Sequence, residues 1–180
     1  PSRLRHDGKP CERNPHQGLG HRQVIKSKGA LAISLGLSYL AAAIGSFGSF
    51  SGIQGWYMDA GKPWFTPPNW AFGPAWAIWY TTMAIAAWWV YKTPGKYRKA
   101  ALWAYAIQLI LNTIWSPVFF GAELLLPGFI IAVALAVSVF VTMCLFHLTI
   151  KKAGILLAPY FGWCVFASFL SVQLFSMNTV

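Results

Sequence analysis

Two side-chain amides stand in an otherwise apolar stretch: Gln108 and Asn112, four residues apart between Ala100 and Phe120. With Trp115 and Phe119 they recur at spacings of four, three and four, which puts all four on one side of a helix. An amide in hydrocarbon is costly unless it is hydrogen-bonded, so this side is expected to face protein rather than lipid. Pro117 follows at once, frees the Thr113 carbonyl and predicts a kink. Two more segments carry aromatic faces. Phe72, Trp76 and Tyr80 share one, with Met83 beside them; Tyr160, Trp163, Ala167 and Leu170 share another. Three such faces meeting with a few polar handles would form a pocket for a flat apolar ligand. Packed core or an interfacial aromatic belt uses the same residue types. Trp56, Trp88, Trp89 and Trp103, near segment ends, fit the belt, whereas Trp115 and Trp163, deeper and beside polar residues, fit the pocket.

Conventional catalytic chemistry has no foothold. The acids are Asp7, Glu12, Asp59 and Glu123, none deep in an apolar run. No carboxylate pair, Ser-His-Asp arrangement or phosphate-binding loop occurs. Proton-coupled pumps usually keep an ionisable group inside the membrane, so a carboxylate-driven transporter is disfavoured. His6, Cys11, His16 and His21 recur every five residues, yet this spacing matches no zinc pattern, and no metal site is expected. Cys144 and Cys164 fall in apolar runs and imply no disulfide framework. His147 reads as a packed or snorkelling imidazole, with haem-iron ligation the sharper alternative.

The elements that must position these residues follow from composition. Of the 180 residues, 57% are hydrophobic, 10% are charged and ten are Trp. A soluble domain carries about 25% charged residues. The composition excludes a disordered chain and argues for an all-α integral membrane protein. Five apolar runs predict transmembrane helices over Ala30–Phe50, Pro74–Tyr91, Ala100–Phe120, Leu124–Thr149 and Ile155–Met177. Their lack of period-two alternation disfavours a barrel. Five spans put the N-terminal tail, the Lys92–Lys99 loop and Lys151–Lys152 on one face with net charge +11, leaving −1 on the other. That bias places the N-terminus in the cytoplasm and the C-terminus opposite, as in a bacterial inner membrane, and it explains the charge without nucleic acid. Residues 1–28 form a basic tail with no apolar period, expected to be disordered, and 29–180 form the membrane domain. The connection Ser51–Gly73 carries Pro63, Pro67, Pro68 and many aromatics, and is expected to fold as a lid over the bundle end.

These residues also resemble a family. Trp56-Tyr57, Lys62-Pro63, Pro67-Pro68, Trp70, Pro74 and Trp76 are similar to the first-loop and second-helix motif of the TspO family. That family comprises bacterial tryptophan-rich sensory proteins and the mitochondrial translocator protein, or peripheral benzodiazepine receptor. Leu111-Asn112, Trp115-Ser116-Pro117, Phe119-Phe120-Gly121, Pro159-Tyr160, Trp163 and Phe166-Ala167 continue the resemblance over roughly residues 36–178. It implies a five-helix bundle in membrane lipid, usually a homodimer, with the first loop closing a pocket. It also implies porphyrin or haem as ligand, with no obligatory cofactor, and affinity for benzodiazepine-type and sterol molecules. Carried over by motif, the ligand-binding residues are Trp56, Phe72, Gly73, Trp76, Tyr80, Asn112, Trp115, Trp163, Ala167 and Leu170. Some bacterial members are associated with light-dependent porphyrin degradation, which would make Trp115 and Trp163 the catalytic candidates. A binding protein, a photodegrading enzyme and a small-solute transporter or structural partner therefore remain as readings. The animal cholesterol motif needs Tyr followed by a basic residue; Ser171–Asn178 holds neither, and Ser171 stands where the family commonly has Asn. Gly48 and Gly52, with Ala41, Gly45 and Ser49 nearby, form small-residue faces suited to a dimer or to packing within one bundle.

Overall fold

A computed structural model describes the backbone from Pro15 to Asn178 and the side chains from Lys28. The described chain is helical, in the order α1 (Pro15–Gln54), α2 (Trp56–Asp59), α3 (Asn69–Lys92), α4 (Arg98–Ser116), a π-helical turn (Pro117–Gly121), α5 (Leu125–Thr149) and α6 (Lys151–Asn178). Four segments are long and apolar enough to cross a membrane: Lys28–Gln54, Arg98–Gly121, Leu125–Thr149 and Lys151–Asn178. Helix α3, the second expected span, is 24 residues long but is not among them. Its apolar surface is aromatic rather than aliphatic: five Trp and two Tyr lie within it. At about 1.5 Å per residue its length is still that of a bilayer core.

Several boundaries move from their expected places, each for a local reason. Helix α1 starts at Pro15, so the second half of the basic tail continues the first helix, since propagation from a formed helix is far cheaper than nucleation. Residues 1–14 lie outside the described ones, as do the side chains of His6, Cys11, His16 and His21. Helix α3 begins at Asn69 rather than Pro74, because Pro68 is extended (φ −61°, ψ 144°) and Pro74 is accommodated after the first turn. The kink expected at Pro117 is a π-helical turn, closed by the Ala122 N–H donating to the Pro117 carbonyl at 2.8 Å. A single extended residue, Ile150, separates α5 from α6.

Helix α5 packs along α6 and α4, while α1 lies against α3, α4 and the π turn. Small residues set the distance of the last contact. A Cβ on Gly48 would meet Pro117 Cγ at 2.8 Å, one on Gly52 would overlap the Phe120 carbonyl, and one on Gly121 would overlap the Gly48 carbonyl. Ser49 is fully buried on the same side and bonds Ser116 Oγ at 2.5 Å. The small-residue face of α1 is thus consumed inside the bundle, and it supplies no surface for a second copy. Further along α1, Ser34 donates to the Ala84 carbonyl at 2.9 Å and Ser38 Oγ meets the Tyr105 hydroxyl at 2.6 Å.

The first connection is folded. Tyr57 of α2 is 3% exposed. Phe65 stacks on Phe169 of α6 at 5.5 Å between centroids. Asn178, at the far end of α6, accepts from the Gly61 N–H at 2.9 Å and donates to the Gly61 carbonyl at 3.0 Å. These contacts hold the loop across the end of the bundle opposite the basic connections.

Close approach at Gly52 yields a paired test. Gly52→Ala puts a methyl into the Phe120 carbonyl and is expected to destabilise the protein by about 1–3 kcal/mol, as overpacking does. Gly36→Ala meets nothing within 4 Å and is expected to leave stability unchanged or slightly raised. Thermal unfolding of both variants in detergent, followed by circular dichroism, checks the contrast.

Candidate ligand-binding cavity

At the centre of the bundle the amides of α4 are satisfied by partners from two neighbouring helices, α3 and α6. The Tyr80 hydroxyl of α3 donates to Asn112 Oδ1 at 2.5 Å. Asn112 Nδ2 donates to the Tyr160 hydroxyl of α6 at 2.6 Å. Tyr160 in turn donates to Gln108 Oε1 at 3.3 Å, and Gln108 Nε2 reaches Met83 Sδ of α3 at 3.6 Å. Every side-chain nitrogen and oxygen of Tyr80, Asn112, Tyr160 and Gln108 has at least one hydrogen-bond partner, which is what a buried polar network needs to be stabilising. Gln108 and Tyr160 are fully buried, and Asn112 is 2% exposed. The spacing that placed Gln108 and Asn112 on one helix face is thus the spacing that lets one face of α4 tie α3 to α6.

Above this network, between α1, α3, α4 and the lid, lies a cavity of about 410 Å³. Six of the residues expected at the site line it: Phe72, Gly73, Trp76, Tyr80, Asn112 and Trp115. Trp163, Ala167 and Leu170 line instead a void of about 20 Å³ on the α6 side. Phe72, Trp76, Trp115 and Phe120 border both spaces and form the wall between them. The wall is a continuous aromatic packing: Trp76 lies 6.0 Å from Trp115 and 6.4 Å from Trp163, and Phe72 lies 6.0 Å from Trp163. Trp56 lines neither space. Its indole donates to the Phe120 carbonyl at 2.9 Å, sealing the lid to the π turn, and its outer side borders a separate cleft with Asp59 and Glu123.

Sequence reasoning missed the α1 wall. Tyr39, Ala42, Ser46, Phe50 and Ile53 line the cavity at spacings of three, four, four and three. That periodicity was readable, but Tyr39 and Ser46 do not set the stripe apart in a helix that carries serines on its other faces as well. Tyr57, Asn69, Ser116 and Phe120 complete the rim and floor. Tyr39, Phe50, Gly73 and Ala77 are exposed, so the cavity is open sideways between α1 and α3. The Tyr39 hydroxyl bonds Thr81 Oγ1 at 2.8 Å across that opening.

The chemistry of the walls is apolar with donors in reserve. Two residues bordering the cavity, Tyr57 and Trp115, carry a buried hydroxyl and a buried indole N–H without acceptors. Both atoms are covered, so a ligand oxygen reaches them only if the side chain shifts. Burial pushes the Tyr57 hydroxyl above its ordinary phenol value, so it stays a neutral donor at physiological pH. Lys62 Nζ lies over the Tyr57 ring at 4.5 Å. His147 is exposed near the end of α5, remote from the cavity lining, and no group of three or more metal-ligating side chains occurs among the described residues.

Long apolar helices, a satisfied amide network and a lidded aromatic cavity define a helical integral membrane protein with an internal aromatic cavity. The sequence pattern of the TspO/MBR family matches residues 34–177, and the chain belongs to that family. It is 39% identical to the tryptophan-rich protein TspO of Archaeoglobus fulgidus over 141 residues, covering 76% of this chain and 90% of the relative. It is 35% identical to the tryptophan-rich sensory protein of Cereibacter sphaeroides, over 81% and 92% of the two chains. Against the translocator protein of Bos taurus it is 32% identical, over 75% and 86%.

The amide network makes its own prediction. Asn112→Leu leaves the Tyr80 hydroxyl without an acceptor and Tyr160 without a donor, and should cost about 1–3 kcal/mol. Tyr160→Phe, which leaves both Asn112 Nδ2 and Gln108 Oε1 without their partner, should likewise cost about 1–3 kcal/mol. Equilibrium unfolding in mixed micelles measures both. A double variant costing less than the sum of the singles is expected, because the two residues share one hydrogen bond.

Proposed function

We propose that this protein binds a tetrapyrrole, such as protoporphyrin IX or haem, in the cavity beneath the first loop, and acts as a membrane sensor, carrier or scavenger. The observation that supports this reading is the cavity itself: about 410 Å³, walled by Trp76, Trp115, Phe72, Phe120, Tyr57 and Tyr80, and open on one side. Flat apolar ligands gain most from such walls, through burial at about 25 cal/mol per Å² and through ring stacking. The volume lies within the range of about 300–1,000 Å³ usual for small-molecule sites. The side opening allows a macrocycle wider than the cavity to extend between α1 and α3. Benzodiazepine-type and sterol molecules fit the same apolar character.

The architecture belonging to this reading is five spans, with α3 as the fifth, the N-terminus on the basic face and the C-terminus opposite. A homodimer is part of the proposal, formed through a surface other than the Gly48–Gly52 face. A second reading, light-dependent degradation of bound porphyrin, is favoured by one observation: Trp115, Trp76, Trp163 and Trp79 form, in that order, an unbroken series of indoles with centroids 6.0–6.4 Å apart, beginning at the cavity wall. Such a series beside a photosensitiser offers electron donors.

Titration of the purified protein with protoporphyrin IX in the dark, read by Trp fluorescence, tests the first reading. Saturable quenching is expected, with Ala42→Phe abolishing it by filling the cavity. Trp115→Phe should raise Kd about fivefold, the worth of one hydrogen bond. Trp103→Phe, on the lipid face and 72% exposed, should leave Kd unchanged. Quenching that does not saturate, or that survives Ala42→Phe, overturns the assignment. Illumination of the loaded sample should bleach the porphyrin only under the second reading, and Trp115→Phe should then slow the bleaching more than it weakens binding.

A further inference from the structure

A second concavity lies at the other end of the molecule. It is a groove of about 610 Å³ between residues 29–37 of α1, the end of α3 and the first half of α4. Its walls are apolar, with Ile33 and Leu37 from α1 and Leu102 and Ala106 from α4, and Trp88 and Tyr91 of α3 also line it. The rings are held beneath cations. Lys92 Nζ lies 4.2 Å from the Trp88 ring. The Arg98 guanidinium lies 5.8 Å from the Tyr91 ring and donates to the Tyr91 carbonyl at 3.5 Å. Lys28 directly precedes the groove's first lining residue, Gly29.

No described carboxylate answers these charges. The two that exist among the described residues, Asp59 and Glu123, border the cleft under the lid at the opposite end. An apolar trough with cations at its mouth matches an amphiphile with a hydrocarbon tail and an anionic head, the general chemistry of basic pockets between membrane helices. We propose that this groove binds an anionic phospholipid, its acyl chain along Ile33, Leu37, Leu102 and Ala106 and its phosphate met by Lys92 and Arg98. Arg98 keeps most of its five N–H donors for that phosphate, since only one is used on Tyr91. A second copy seated in the groove about a twofold axis along the membrane normal would bring the same cations together, so it is the poorer occupant. The site shares none of its lining residues with the cavity beneath the loop and stands apart from the function proposed for it.

Native mass spectrometry of the full chain, released from micelles holding equal dioleoyl phosphatidylglycerol and dioleoyl phosphatidylcholine, tests this. Preferential retention of phosphatidylglycerol is expected. Lys92→Gln and Arg98→Gln should each lower the preference about fivefold. Ala106→Phe should reduce retention of both lipids by filling the groove. Raising salt from about 50 to about 500 mM should weaken the preference in the unaltered protein, a readout that survives even if a variant fails to fold. Equal retention of the two lipids overturns the proposal. So does a preference that outlasts both charge substitutions, or one that Ala106→Phe leaves intact. If Ala106→Phe instead converts a dimer to a monomer without changing lipid retention, the groove is an interface between copies and the lipid assignment falls.

Discussion

An amide cannot stay unpaired in hydrocarbon, and this bundle is arranged around two of them. Gln108 and Asn112 sit one turn apart on α4, and their partners come from α3 and α6. Because each Tyr hydroxyl and each amide has a single complementary position, the network specifies rotation and depth for three helices at once. Dispersion between aliphatic side chains would hold such helices together without choosing a register. The cavity depends on this choice: Tyr80 and Asn112 are both network members and cavity lining, so the floor of the pocket is as rigid as the hydrogen bonds beneath it.

A second constraint acts where backbones nearly touch. Gly48, Gly52 and Gly121 let α1 approach the π turn so closely that no side chain fits between them. The turn exists because Pro117 cannot donate to the Thr113 carbonyl, and the freed backbone is taken up against the small residues of α1. The cavity lies beside this contact, between α1 and α3. The lid is then fastened at three points, by Trp56 to the π turn and by Phe65 and Gly61 to Phe169 and Asn178 of α6. One end of the molecule is closed by these polar and aromatic clasps, while the other carries cations that no carboxylate among the described residues meets. Each concavity has the character of its end.

Much of this was legible in the residues. Apolar runs locate the long helices, since hydrocarbon thickness acts on a segment without reference to its neighbours. The amide and aromatic stripes of α3, α4 and α6 follow from helical geometry alone. The Trp-rich α3 is the limiting case: its aromatic surface makes the segment read less like a membrane span than its length suggests.

What the sequence by itself determined, then, is which faces of which helices carry polar atoms, because a period of 3.6 residues is a property of one chain segment. Only the tertiary structure decided how those faces are divided. Trp163, Ala167 and Leu170 share the aromatic pattern of the site, yet the wall of Trp76 and Trp115 separates them from the main cavity. Trp56 became a clasp rather than a lining residue, and the α1 stripe from Tyr39 to Ile53, marked by nothing but its spacing, became a wall. The small-residue face of α1 went to internal packing rather than to a second copy. The reason is common to all of these. Whether an apolar face meets a ligand, a neighbour or lipid depends on distances between segments remote in the chain, and those distances are set by the few polar bonds and backbone contacts that admit one geometry.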